Sequence, residues 1–172
     1  MVAWVTPYTF VNSDVLYASQ LNSQIRDNMN ELTTAKAAQR GSYFVSTAAN
    51  AVTERKITTG YIDYENILSS TTYAILGPSE TVTHGGSFIA FFGARLSHQD
   101  GTGDTLVSPQ TTLTAASDTN CIRARTDLAN FVRPSSYRLF TETAGTTVCS
   151  LYYRTSSLTS KIAQRSLILM QF

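Results

Sequence analysis

GSFIAFFGARLS, residues 86–97, is an apolar run held between the turn residues His84-Gly85-Gly86 and the turn HQDGTGD, residues 98–104. A short run rich in Phe and Ile and closed at both ends by turn residues reads as a central strand of a sheet. Gly93 interrupts it, and a glycine inside a strand marks a bulge or the close approach of another backbone. On its N-terminal side SYFVSTA, VTERKITTGYI, STTYAILG and SETVT read as further strands, punctuated by Gly60, Gly77-Pro78 and the His84 turn. On its C-terminal side comes TLVSPQTTLTAAS, which alternates Leu113 and Ala115 against Thr112 and Thr114. CIRAR, FVRPSSYRLFTET, GTTVCSLYYRT and KIAQRSLILMQF complete about eight to ten short strands, the signature of a sandwich or jelly roll. In the last of them Leu167, Leu169 and Gln171 face one way and Ile168, Met170 and Phe172 the other, so this strand is expected to be covered on both sides.

Ahead of the β region the period changes. DVLYASQLNSQIRDNMNEL, residues 14–32, places Leu21, Ile25 and Leu32 on one stripe at helical spacing, with Gln24, Arg26, Asp27 and Glu31 largely off it. Ser13 or Asp14 caps its start. A stretch this short is not stable alone, so its apolar stripe must be covered by something. Residues 1–13, MVAWVTPYTFVNS, carry Trp4, Tyr8 and Phe10 around Pro7 and form an aromatic arm too small for a core of its own. TTAKAAQRG continues as weak helix or linker and stops at Gly41. The expected organisation is an attachment segment over 1–41 and a β domain over 42–172, with Trp4, Tyr8, Phe10, Leu21, Ile25 and Leu32 as the partner-binding residues.

Composition excludes several classes. The chain has 172 residues, enough for one domain with a sizeable core, a net charge of +1 and 15% charged residues, so no basic surplus exists to neutralise a phosphate backbone. Direct nucleic-acid binding is not expected. No window approaches the roughly 20 apolar residues of a membrane span, and the first residues lack the basic start of a signal peptide, which predicts folding in the cytosol and no membrane partner. Cys121 and Cys149 have neither a CxxC partner nor metal-ligand spacing and are expected to be reduced.

Chemistry is sparse. His84 and His98 both read as turn residues, and no nucleophile elbow, zinc-protease, phosphate-loop or dinucleotide motif is present. Asp100 and Asp104 flank two glycines in the 98–104 turn but lack the further acidic ligands of a calcium loop, so a plain turn is the stronger reading. Arg123, Arg125, Arg133, Arg138 and Arg154 recur through the later strands, where solvated faces and a few ion pairs are the first reading and pairing between subunits the second. The expectation is a chain that is not an enzyme and needs no cofactor or metal.

The arm with its Trp and Pro, followed by Val15, Leu16, Ala18, Leu21, Asn22, Ile25, Arg26, Asp27, Asn28 and Leu32, resembles a segment of tailed-bacteriophage virion proteins that reads V-L-T-A-x-x-L-N-x-x-I-R-D-N-x-x-x-L. Tyr17 departs from the small hydroxyl residue of that pattern. The resemblance covers mainly residues 1–32, and the β region matches more loosely. It implies a place in the particle: a head decoration or cement protein, a head fibre or a minor tail protein, often trimeric, with a jelly-roll-like body. The leading expectation is a capsid decoration protein that holds the major capsid protein or another virion protein through its arm and helix and carries a trimeric β knob outside. The alternative is a tail or head fibre component whose β domain binds a receptor or carbohydrate, with Tyr152 and Tyr153 as sugar-facing candidates. An enzyme such as a glycan hydrolase ranks last, because no carboxylate pair stands out.

Overall fold

The computed structural model describes residues 15, 17–22, 42–48, 51–83, 86–99, 101–127, 130–143, 145–156 and 159–172. The chain divides into two compact units, Met1–Lys56 with Phe172, and Ile57–Gln171. In the first, the described elements are a short helix, α1 (Ala18–Leu21), and an antiparallel hairpin of β1 (Ser42–Ala48) and β2 (Ala51–Lys56) in which Tyr43 faces Arg55 and Val45 faces Thr53.

The second unit is a jelly-roll-like β-sandwich. Its strands are β3 (Thr58–Ile62), β4 (Asn66–Leu68), β5 (Ala74–Val82), β6 (Gly86–His98), β7 (Gly103–Gln110), β8 (Ile122–Thr126), β9 (Ser135–Glu142), β10 (Thr147–Thr155) and β11 (Ser160–Gln171). One sheet runs β5-β10-β7-β8, and the five-stranded sheet runs β3-β11-β6-β9 with β4 also on β11. From β4 onward every connection except β7–β8 passes from one sheet to the other, and the first strands pair with the last, as in a rolled-up double Greek key. β3 and β4 pair with successive segments of β11, Leu169–Arg165 and Ile162–Ser160, so they act as one strand interrupted at Asp63–Glu65.

The apolar run 86–97 is the centre of the five-stranded sheet. β6 lies between β11 and β9, and its even-numbered residues Phe88, Ala90, Phe92, Ala94 and Leu96 are all buried. They meet Leu167 and Leu169 of β11, Phe140 of β9, and Val107, Leu151 and Tyr153 of the opposite sheet in one core. The Phe88 and Phe140 rings stack at 5.1 Å within it. Alternating large and small side chains along β6 let the two sheets interdigitate.

Four expectations change. Gly77-Pro78 does not end a strand: β5 runs through it from Ala74 to Val82, and the register against β10 slips between Ser150 and Tyr152. A proline is tolerated there because β5 is an edge strand and the slip is a bulge. A Cβ on Gly77 would lie 2.4 Å from that of Leu151, so the glycine is needed for the crossing. The alternation after Gln110 is a loop, closed by the Thr111 amide donating to the Thr114 carbonyl, because the Thr111 hydroxyl accepts from the Thr114 amide in place of a ladder bond. His98 is 1% exposed at the end of β6, its Nε2 within reach of the Thr105 and Ser160 hydroxyls, and is not a turn residue. Finally, the second side of β11 is left partly open: Leu167, Leu169 and Gln171 are buried, whereas Ile168 on the other side is 40% exposed.

Candidate binding face

The open side of β11 belongs to a continuous outer face. Register sets its rows. Ile168 faces Phe91, which faces Tyr137, and one row along Met170 faces Ile89, which faces Leu139. Side chains directly opposite on one face of a sheet touch, and the Phe91 and Tyr137 rings lie 6.2 Å apart. Phe91, Tyr137, Leu139 and Ile168 are all among the large apolar residues left exposed, and the two rows contain no charged side chain.

The adjoining row reads Tyr61, Ser166, Gly93, Ser135. Here a cleft of about 290 Å³ opens, lined also by Arg95, Arg133 and Gln164. Two local features make it. Gly93 contributes no side chain, and a Cβ there would sit 3.0 Å from the Pro134 carbonyl oxygen. Beside it, between the Ser166–Gly93 and Ala163–Arg95 pairs, Gln164 and Arg165 form a bulge in β11, with Gln164 at φ 47°, a conformation unusual for a side-chain-bearing residue. The Gln164 amide donates to the Asp63 carbonyl oxygen, and its own Oε1 has no hydrogen-bond partner among the described residues. Tyr61 donates its hydroxyl to Asp63 at 2.9 Å, which raises the tyrosine's pKa, while Arg133 acts on it in the opposite sense. The Arg95 guanidinium stacks 3.7 Å over the Phe131 ring. Neither Arg95 nor Arg133 has a carboxylate partner among the described residues.

The other polar clusters are accounted for by the fold. Asp104, far from offering a calcium ligand, accepts from Arg123, and Asp118 accepts from Arg154 and from Tyr73. Asp118 is thereby held below its ordinary pKa, chiefly by the Arg154 hydrogen bond. Thr111 donates to the buried Glu142. No group of three or more His, Cys, Asp or Glu side chains suited to a metal occurs among the described residues.

Both cysteines are free. Burial first, and then the nearby Glu142 charge, push the Cys149 thiol up to about 12 from 9.0. A group whose folded pKa is raised binds its proton more tightly in the folded chain, so its stabilising effect is complete below about pH 9 and is lost as pH rises towards 12. The wild-type chain is expected to lose up to about 1.4 kcal/mol per pH unit through this group over that window. Cys149→Ala removes this part of the slope, measured by urea unfolding at pH 8, 9.5 and 11; an unchanged slope would show that the thiol does not titrate on unfolding.

Of the residues expected to bind partners, Trp4, Tyr8, Phe10, Ile25 and Leu32 lie outside the described residues, as does His84. Leu21 closes α1, and its side chain is likewise outside the description. Tyr153 is fully buried in the core and cannot face a sugar. The face and cleft were missed because each requires knowing which strands are neighbours. The one available signal is Gly93, a glycine inside a strand, which marks a close approach but does not reveal the floor of a cleft.

No family model and no curated protein matches the chain. Among solved structures, it is similar to one from infectious bursal disease virus, Gx strain, at 10% identity and TM-score 0.43, over 74% of this chain but only 36% of that one. The C-terminal CBM6 module of LamC, a laminarinase of Zobellia galactanivorans, matches at 9% identity and TM-score 0.31, over 64% of this chain and 98% of the module. A carbohydrate-binding module of Cellvibrio mixtus lichenase 5A, solved with cellotriose, matches at 15% identity and TM-score 0.30, over 80% and 92% of the respective chains. At these identities and scores none of them says what this chain binds or builds; what the molecule itself establishes is a mainly β, jelly-roll-like sandwich.

Proposed function

We propose that the chain is a structural, non-enzymatic module of a virus particle whose β-sandwich packs against further copies of itself through the outer face of the five-stranded sheet. The observation that carries this reading is the pair of uncharged apolar rows, Ile168–Phe91–Tyr137 and Met170–Ile89–Leu139, left open on one chain. Contiguous apolar surface of this kind marks an interaction site, and a face without charge meets a copy of itself without repulsion. The doubly apolar pattern of β11 fits as well, since its second side gains cover only from outside the sandwich. The capsid-decoration reading, with the arm and helix holding the shell and a trimeric knob outside, rests on the resemblance of residues 1–32 to phage virion proteins.

The double variant Tyr137→Lys/Leu139→Lys tests the assembly. Both side chains are well exposed, at 69% and 58%, so the sandwich should fold with unchanged β-sheet circular dichroism. Light scattering of the wild-type chain is expected to give an oligomer mass, three-fold for a trimer, and the variant a monomer. Tagged copies of the variant should also fall at least tenfold in purified particles. A monomeric wild type, or a variant that assembles normally, would overturn the proposal.

A further inference from the structure

We propose that the cleft beside Gly93 binds a saccharide carrying a carboxylate, an acidic glycan. This site lies in the row beyond the apolar rows, so it does not depend on the assembly reading, and an interface over those rows leaves it at the rim.

The argument rests on what the cleft offers together. Tyr61 is 61% exposed and presents an aromatic surface at the wall, which suits the C–H face of a sugar ring. The Ser166 hydroxyl supplies both a donor and an acceptor for a ring hydroxyl, and the Gln164 side chain lines the cleft with its unpartnered Oε1 buried beneath the surface. Arg95 and Arg133 supply positive charge without a carboxylate partner among the described residues, and a guanidinium fork matches a carboxylate in shape and charge. Asp63 tempers that charge, but it is engaged by Tyr61 and leaves one positive charge in excess. At about 290 Å³ the space is at the small end for ligand sites, which fits one or two sugar rings rather than a large ligand.

The alternatives fit less well. A bare phosphate would engage the arginines and leave the aromatic wall and the Ser166 hydroxyl idle. An acidic peptide would ordinarily bind a sheet by adding a strand, but β6 and β11, which form the floor, already have hydrogen-bonded neighbours on both sides. The backbone is also set up for a site: Gln164 is held in the left-handed region, a strain that persists where surrounding structure over-determines it.

The test applies the full chain to an array of neutral, uronic-acid and sialic-acid oligosaccharides with acidic peptides and phosphate-bearing lipids alongside, followed by calorimetric titration. At least one acidic glycan should bind ten times more tightly than its neutral counterpart. Arg133→Gln should reduce that preference about tenfold, and Tyr61→Ala should weaken acidic and neutral forms alike; both residues are exposed, so both variants should fold. No acidic glycan exceeding its neutral counterpart, wild-type binding by both variants, or equal capture of acidic peptides or phosphates would each overturn the assignment.

Discussion

Arg165→Ala is expected to destabilise the sandwich by on the order of 4 kcal/mol. Arg165 is 1% exposed, yet no carboxylate pairs with it among the described residues. Its Nη1 donates to the Leu76 carbonyl oxygen and its Nη2 to that of Tyr64 at 2.8 Å, while the guanidinium lies 5.0 Å over the Tyr64 ring. Burial lowers its pKa from the ordinary arginine value. Hydrogen bonds from a charged donor contribute about 1.5–3 kcal/mol each, and truncation leaves two carbonyls without their donor as well as a void. The residue does more than fill space. It ties the bulge in β11 to the interruption between β3 and β4 and to the edge strand β5, so three strands lose a common anchor. Arg165→Met separates the contributions: it keeps most of the stem but not the donors, and should fall between wild type and Ala in urea midpoint at constant slope. A Met variant as stable as wild type would mean the two bonds contribute nothing net, as occurs when burying a charge offsets its interactions.

That bulge also explains where the sequence was legible and where it was not. Reading β11 backward from its end correctly put Leu167 and Leu169 on one face, because period two holds from Arg165 onward. Carried further, the same alternation puts Ile162 on the outer face, yet it is fully buried. The extra residue at Gln164–Arg165 reverses the phase, and nothing announced it: the left-handed position holds Gln164, where glycine would have been the recognisable signal. An interior arginine was equally hidden, since arginines are usually exposed and this one is recognisable only once Tyr64 and Leu76 are brought beside it.

The jelly-roll-like class was legible because strand-like runs, turn residues and the apolar centre at Phe88–Leu96 all agreed. The sheet order was not, because six of the eight strand pairings among the described residues join strands that are not neighbours in sequence, as when β11 sits between β3 and β6. The candidate face follows from that order alone. Tyr61, Phe91, Tyr137 and Ile168 come from four strands, and no local window contains more than one of them.

Phe88→Ala and Phe91→Ala provide the last test, because they remove the same side chain three residues apart from opposite faces of one strand. Phe88 is 1% exposed and stacked on Phe140, so its removal should cost about 3–5 kcal/mol and lower the melting temperature by roughly 10 °C. Phe91 is 41% exposed on the outer face, and at concentrations where the chain is monomeric its removal should cost under about 1 kcal/mol. Oligomerisation should reverse the ranking: Phe91→Ala is expected to weaken association while Phe88→Ala leaves the contacting rows intact. Denaturant unfolding at low concentration and light scattering at high concentration read the two effects separately. Equal destabilisation by both variants at low concentration would mean that the outer face is already covered within one chain. A register shifted by one residue would instead exchange the two results, because it turns every side chain of β6 to the other face.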